Sequence, residues 1–206
     1  MRPIALSWLD SALADPGEHL RLDEELLREG NGVLRIWETS HECVVLGHAG
    51  QPERDVHIAA CRRSGIPVLR RCSGGGAVLL GPGCLNYSLV LPLEWESKWR
   101  EVRYSLRWVM GRMRRALAVP ELRCEGQCDL SLHCRKVSGN AQRRTHRAIL
   151  HHGTLLYDFD AARAERFLKP PLREPRYRAG RAHRDFLGNL PLTADQIKQR
   201  LVSTWC

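Results

Sequence analysis

Arg70-Arg71-Cys72-Ser73-Gly74-Gly75-Gly76-Ala77-Val78-Leu79 breaks an apolar run with three consecutive glycines and sets two arginines directly ahead of them. Lacking Cβ atoms, Gly74, Gly75 and Gly76 can take positive φ and turn main-chain N–H groups toward an anion or a flat ring. A bulge or a tight hairpin would use the same glycines, so the block gains meaning from its companion. That companion is Arg135-Lys136-Val137-Ser138-Gly139-Asn140-Ala141, followed by His151-His152-Gly153-Thr154-Leu155-Leu156. Lys136 offers a compact ammonium able to bridge an acyl oxygen and a phosphate and to stabilise charge developing at phosphorus. Ser138, Gly139 and Ala141 are small enough to let a strand pass close to a ligand. Neither His151 nor His152 has a carboxylate neighbour in sequence, which makes them positioning groups and leaves the general base unassigned.

Taken together, Arg71-Cys72-Ser73-Gly74-Gly75-Gly76-Ala77-Val78, Arg135-Lys136-Val137-Ser138-Gly139-Asn140-Ala141 and His151-His152-Gly153-Thr154-Leu155-Leu156 follow in order the three blocks of a known pattern. The sequence resembles the lipoate-protein ligase branch of the biotin and lipoate ligase superfamily. Weaker echoes are Leu34 to Gly47, similar to the family's early hairpin, and Leu22 to Leu27, similar to its opening acidic helix. The resemblance implies ATP-dependent attachment of lipoate, or a similar medium-chain acyl acid, to a lysine of an acceptor protein through an acyl-adenylate. It implies that Lys136 contacts both acyl group and adenylate, and that Arg71, Gly76, Ala77, Val78 and Leu79 hold ATP with it. Gly74, Gly75, Ser138, Gly139, Ala141, His151, His152 and Gly153 would line the acyl site. Mg²⁺ is inferred from the nucleotide, with no metal ligands assigned in the protein. The implied partner is the lipoyl-acceptor domain of a 2-oxoacid dehydrogenase or glycine-cleavage-type protein.

Two departures from the pattern open other readings. Gly126-Gln127-Cys128-Asp129-Leu130 places a thiol where the ligases carry an asparagine. Octanoyltransferases of the same superfamily use a cysteine facing a lysine, so Cys128 is a candidate nucleophile whose pKa Lys136 would lower. A buried, inert cysteine is the plain alternative. The chain also ends at Cys206, which predicts a single catalytic domain over 1–206 without the accessory domain of longer ligases, and so either a separate accessory protein or an activity that does without one. A biotin ligase fits less well, because Arg71-Cys72-Ser73-Gly74-Gly75-Gly76 and His151-His152-Gly153 differ from that branch's loop. A non-catalytic module binding a lipoylated protein or a nucleic acid remains the answer of a different class.

Composition bounds these readings. With 206 residues, 43% of them hydrophobic, the chain can bury one real core. A formal charge of +9 favours an acidic partner, but the arginines are spread through every segment and aromatics make up only 6%, which argues against a nucleic-acid groove. Eight cysteines without an apolar leader at Met1–Asp10 read as reduced thiols in a cytoplasmic protein. Cys124, Cys128, His133 and Cys134 lack the paired spacing of a zinc site, and no run of about 18 apolar residues spans a membrane.

The elements that must carry these residues follow from periodicity. Helices are expected at Pro16–Arg28 (capped by Asp15), Val56–Ser64, Lys98–Leu117, Asp160–Phe167 and Ala194–Leu201, the last with a Thr193/Gln196 capping box. Val33–Trp37 and Cys43–Leu46 read as an antiparallel hairpin, Ile66–Leu69 as a buried strand into the glycines, and Leu85–Leu91 as its antiparallel return. Strands at Leu122–Leu132 and Ala148–Tyr157 flank the lysine block. Residues 169–188, rich in proline and arginine, read as a surface loop able to close over a ligand or receive an acceptor. The fold class is α/β (α+β): a mixed, largely antiparallel sheet flanked by helices, with glycine and lysine blocks on adjacent strands.

Overall fold

Local signals start the helices where the sequence places them. Asp15 accepts the N–H of Gly17, Pro16 occupies the first turn of α1 (Pro16–Glu29), and Gly30 closes it at φ 73°. In the last helix the Thr193 hydroxyl and the Gln196 side chain satisfy each other's backbone N–H groups. The computed structural model describes residues 4–206; Met1–Pro3, the start of the stretch read as lacking a leader, lie outside the described residues.

In chain order the elements are β1 (Ser7–Asp10), α1, β2 (Val33–Trp37), β3 (Cys43–Leu46), α2 (Pro52–Asp55), α3 (Ile58–Arg63), β4 (Val68–Arg70), β5 (Val78–Leu80) and β6 (Cys84–Pro92). They continue with α4 (Val102–Leu117), β7 (Arg123–Glu125), β8 (Asp129–Leu132), β9 (Arg135–Arg144), β10 (Ala148–Leu156), α5 (Ala161–Phe167), α6 (His183–Phe186) and α7 (Ala194–Trp205). Two mixed sheets result. The larger is ordered β1-β2-β6-β10-β9-β8-β7 and is antiparallel except for β1 beside β2. The smaller is β4-β3-β5, with β3 parallel to β4 and antiparallel to β5.

Strand alternation divides the larger sheet into two faces. Val33, Val90 and Leu150 stand in register and pack under α1 with Leu27. Leu34, Leu89 and Ile149, each one residue along, face the other way, into a core built with Val109, Met113, Ile197 and Trp205 of α4 and α7. The smaller sheet buries Val44, Leu79 and Phe167 in a separate cluster.

Several expected connections differ. Val33–Trp37 and Cys43–Leu46 belong to different sheets and form no hairpin. The glycine block does not return through Leu85–Leu91: it links β4 to β5, both paired to β3, while β6 lies in the larger sheet. Glycine and lysine blocks therefore meet across sheets and not on adjacent strands. All five residues of β2 and all four of β3 are buried, so polarity alternation carried no signal to separate a hairpin from two central strands. The Val56–Ser64 helix is shorter, because Val56 forms a bridge with Leu168 and α3 starts only at Ile58. Residues 169–188 are not bare loop: a 3-10 turn at Arg176–Arg178 and α6 pack through buried Arg178 and Phe186.

Candidate functional site

The glycine loop is shaped by its own arginine. Arg71 donates from Nη2 to the carbonyls of Gly74 (2.7 Å) and Gly76 (3.0 Å), from Nε to Ser73 Oγ (3.1 Å), and from Nη1 to Val45 O (3.3 Å). Four of the five guanidinium donors are thus engaged within the scaffold. Peptide planarity then turns the N–H groups of Gly75 and Ala77 away from Arg71. Burial lowers the Arg71 pKa to about 10, leaving it a cation at neutral pH. Arg71, expected to hold ATP, here directs its donors to the loop's own carbonyls, so its positive charge lies behind the glycines. Arg70 likewise braces the preceding turn, donating to the carbonyls of Gly47, His48 and Gly50. Gly75 sits at φ 94°, and a Cβ on Gly47 would lie 2.1 Å from Gly75 O, so the two loops touch backbone to backbone. Leu79 points its side chain into the smaller core, and only the main chain of Val78 and Leu79 follows the loop into β5.

Lys136 is aimed by a bulge. Leu130 pairs with Ser138 but Ser131 pairs with Lys136, leaving Val137 as the extra residue. The Lys136 stem then crosses Gly139, where a Cβ would lie 2.7 Å from its Cε. Its Nζ meets Asp129 Oδ1 at 2.8 Å, and the other Asp129 oxygen accepts Tyr177 OH at 2.9 Å. Gly188 N donates to Lys136 O, so the segment after Leu168 passes alongside the lysine.

Alternation along β9 and β10 sorts the remaining residues. Gly139, Ala141 and Arg143 share the α1 face with His152. Arg143, given no role by the sequence reading, is exposed, and its charge reaches the Cys72 thiol in the glycine loop. Its strand position relative to Lys136 was the available signal; the bulge made that parity unreadable.

Ser138, His151 and Gly153, expected to line the acyl site, lie on the face of the sheet opposite Gly139, Ala141 and His152. Ser138 is buried against Asn140, and His151 Nδ1 meets Gln142, whose Oε1 accepts from Ser105 of α4. Burial lowers the His151 pKa to about 3, so it is neutral. Gly153 makes room for Asn140, whose Oδ1 would be 1.8 Å from a Cβ there. Adjacent residues of a strand point to opposite faces, so His151 and His152 stand on different sides of the sheet.

His152 does face the glycine loop: its Nε2 meets Ser73 Oγ at 2.6 Å and its Nδ1 meets Asp23 Oδ2 at 3.1 Å. The carboxylate it lacks in sequence comes from α1. Asp23 is buried, which pushes its pKa up, but His152, Arg35 and Ser88 outweigh burial and hold the carboxyl below its usual range.

Cys128 donates its S–H to Asn140 O at 2.7 Å. Burial, then Asp129, raise its pKa, and Lys136 and Arg71 do not offset them. Lys136 lowers it as expected, but burial first and Asp129 second outweigh the lysine, and the thiol lies above its ordinary range. Among the described residues no three His, Cys, Asp or Glu side chains gather as a metal cage, and no helix is long and apolar enough to cross a membrane. A separate cleft of about 630 Å³ between α3 and α5 holds none of the motif residues.

The glycine loop, tied through Ser73 to His152, and the lysine strand lie toward one face of the larger sheet and make it the candidate small-ligand site of an α/β scaffold. The family model described as "Lipoyl protein ligase A/B catalytic domain" matches residues 15–204, and the chain belongs to that family. A curated relative from Aeropyrum pernix, "Putative lipoate-protein ligase A", is 33% identical over 163 residues, covering 76% of this chain and 60% of the relative, so this chain spans less than two thirds of the relative's length. The fold is shared with a T. acidophilum protein with bound lipoic acid (TM-score 0.80, 20% identity, 99% of this chain and 84% of that one). It is shared too with a lipoate-protein ligase A bound with ATP (0.77, 20%, 97% and 82%). A third match is a bi-partite lipoate protein ligase studied with its E2 lipoyl domain from Thermoplasma acidophilum (0.74, 23%, 98% and 82%).

Proposed function

We propose that this chain is an enzyme that activates lipoate, or a similar medium-chain acyl acid, with ATP and passes the acyl group to a lysine of a lipoyl-acceptor protein in the cytoplasm. The observation that carries it is Lys136: a charged amine, aimed by the Val137 bulge and Asp129, on the face that Gly139, Ala141 and Arg143 share with the glycine loop. Family membership and the bound lipoic acid and ATP of its structural neighbours support the same chemistry.

In the first step a carboxylate oxygen attacks the α-phosphorus and pyrophosphate leaves. Lys136 Nζ offsets the repulsion of the two anions and stabilises charge gathering on the α-phosphate. Loop N–H groups and Arg143 supply further positive potential. Small side chains at Gly139 and Ala141 let the acyl-adenylate lie against β9. In the second step the acceptor amine attacks the acyl carbonyl and AMP leaves, so the protein needs no nucleophile of its own. Mg²⁺ enters with the nucleotide.

Incubation with lipoate, MgATP and a lipoyl-acceptor domain of a 2-oxoacid dehydrogenase or glycine-cleavage-type protein should release pyrophosphate and add the acyl mass to the acceptor. The assay is run with and without the remaining part of the longer relative supplied as a separate protein. Lys136→Ala should lower the rate by about 10²-fold or more. Full activity in that variant would remove the role given to the lysine. Transfer from an octanoyl thioester without ATP, through an adduct on Cys128, would replace ligation by the transferase reading.

A further inference from the structure

A buried polar chain runs behind the glycine loop and takes no part in the steps above. Arg35 of β2 donates from Nη1 to Asp23 of α1 (2.5 Å), Asp23 meets His152 of β10 (3.1 Å), and His152 meets Ser73 at the head of the loop (2.6 Å). None of the four is more than 9% exposed. Burying such groups is tolerated only when their hydrogen bonds are complete, and these are. Asp23 also accepts Ser88 Oγ on both oxygens, while Arg35 donates to Ser11 Oγ, His19 O and His19 Nδ1 and stacks over Trp37.

The His152 ring is held on both sides, Nδ1 donating to the Asp23 carboxylate and Nε2 sharing a hydrogen bond with the Ser73 hydroxyl. The Ser73 oxygen in turn accepts from Arg71 Nε at 3.1 Å. Ser73 Oγ is therefore held from two sides, by His152 and by Arg71, immediately before three glycines whose backbone freedom is the greatest of any residue.

The geometry points to Asp23 as a positioning residue of the ligand site, acting through His152 and Ser73 to hold the glycine loop in its binding shape. This rests on the reading that the loop receives the acyl-adenylate. A serine, a histidine and an aspartate in this order also resemble a nucleophile relay. Ser73 is only 1% exposed and its oxygen is already engaged by Arg71, which favours a brace over a nucleophile.

The test compares Asp23→Asn, Ser73→Ala and the double variant by amide hydrogen exchange and by calorimetry with lipoate and with MgATP. Peptides covering residues 71–79 should exchange at least about tenfold faster in either single variant, while β6 peptides stay unchanged. Lipoate binding should weaken about tenfold in Asp23→Asn, yet by less than about twofold when the same change is made in the Ser73→Ala background, because the path is already cut. Additive losses, or an unchanged loop, would overturn the proposal, as would a stable acyl or fluorophosphonate adduct on Ser73. If Asp23→Asn does not fold because Arg35 loses its partner, His152→Asn breaks the chain with that pair intact and carries the same comparison. Exchange requires no ligand, so a wild-type protein that binds neither lipoate nor MgATP overturns the proposed function while the loop measurement still decides this inference.

Discussion

A lysine beside two anions is useful only if it is charged, aimed and not already neutralised by burial. Lys136 is aimed and reachable, because Asp129 holds it at 2.8 Å while a quarter of the side chain stays open to solvent. Burial, and then the same carboxylate, raise the Cys128 pKa, and together they oppose thiolate formation more than the lysine favours it. Cys128→Ser should keep at least roughly a tenth of the ligation rate, because a hydroxyl can make the thiol's bond to Asn140 O and no thiolate is required. Alkylation by iodoacetamide at pH 7.5, followed by peptide mass spectrometry, should label exposed Cys124 and Cys134 well before Cys128. Faster labelling of Cys128 would revive the transferase. At this scale residue types were legible but their directions were not: His151 and His152 are neighbours in sequence and lie on opposite faces of one sheet.

Elements add what single residues lack. Val137 is unremarkable in sequence, yet as the extra residue of a bulge it swings Lys136 over Gly139. Residues 169–188 show the same dependence on context. Their prolines and arginines rule out a long regular element, but Phe186 buries its ring between the guanidinium groups of Arg178 and Arg181, and Arg181 reaches back to Cys134 O. Arg135 ties the far end through the carbonyls of Arg184 and Leu187. Phe186→Ala removes the anchor at a cost of about 3 kcal/mol. Limited trypsin digestion should then cut within 169–188 at enzyme concentrations that leave the wild-type segment intact, and resistance equal to wild type would mean the arginine contacts alone hold it.

For the whole molecule the buried histidines set the dependence on pH. Burial, then Arg35, lower the His19 pKa to about 4, and burial, then His152, lower that of His151 to about 3. The unfolded chain takes up these protons below about pH 6.5 while the folded chain refuses them, so stability is present above pH 6.5 and is lost as pH falls toward 4. At pH 5 each of the two should cost about 2 kcal/mol. Asp23, held below the usual carboxylate range, adds a further loss only below about pH 4. Urea midpoints at pH 7.5, 6 and 5 should decline in that order; a flat profile would show that one or both imidazoles can charge in the folded state. What the sequence by itself determined is the content of the site and the pieces of the fold. Motif blocks, helix caps and the amphipathic period of Val102–Leu117 are local, each decided by residues within a few positions of one another. Tertiary structure alone decided which blocks meet. A fully buried strand such as Val33–Trp37 carries no polar face to reveal its partner, and a parallel crossover leaves no turn signature, so β3 could be assigned to a second sheet only by packing. Asp23 reached His152, 129 positions away, for the same reason: the pairing of α1 with β10 is written in no short stretch of the chain, only in the way two sheets and their helices close around a core.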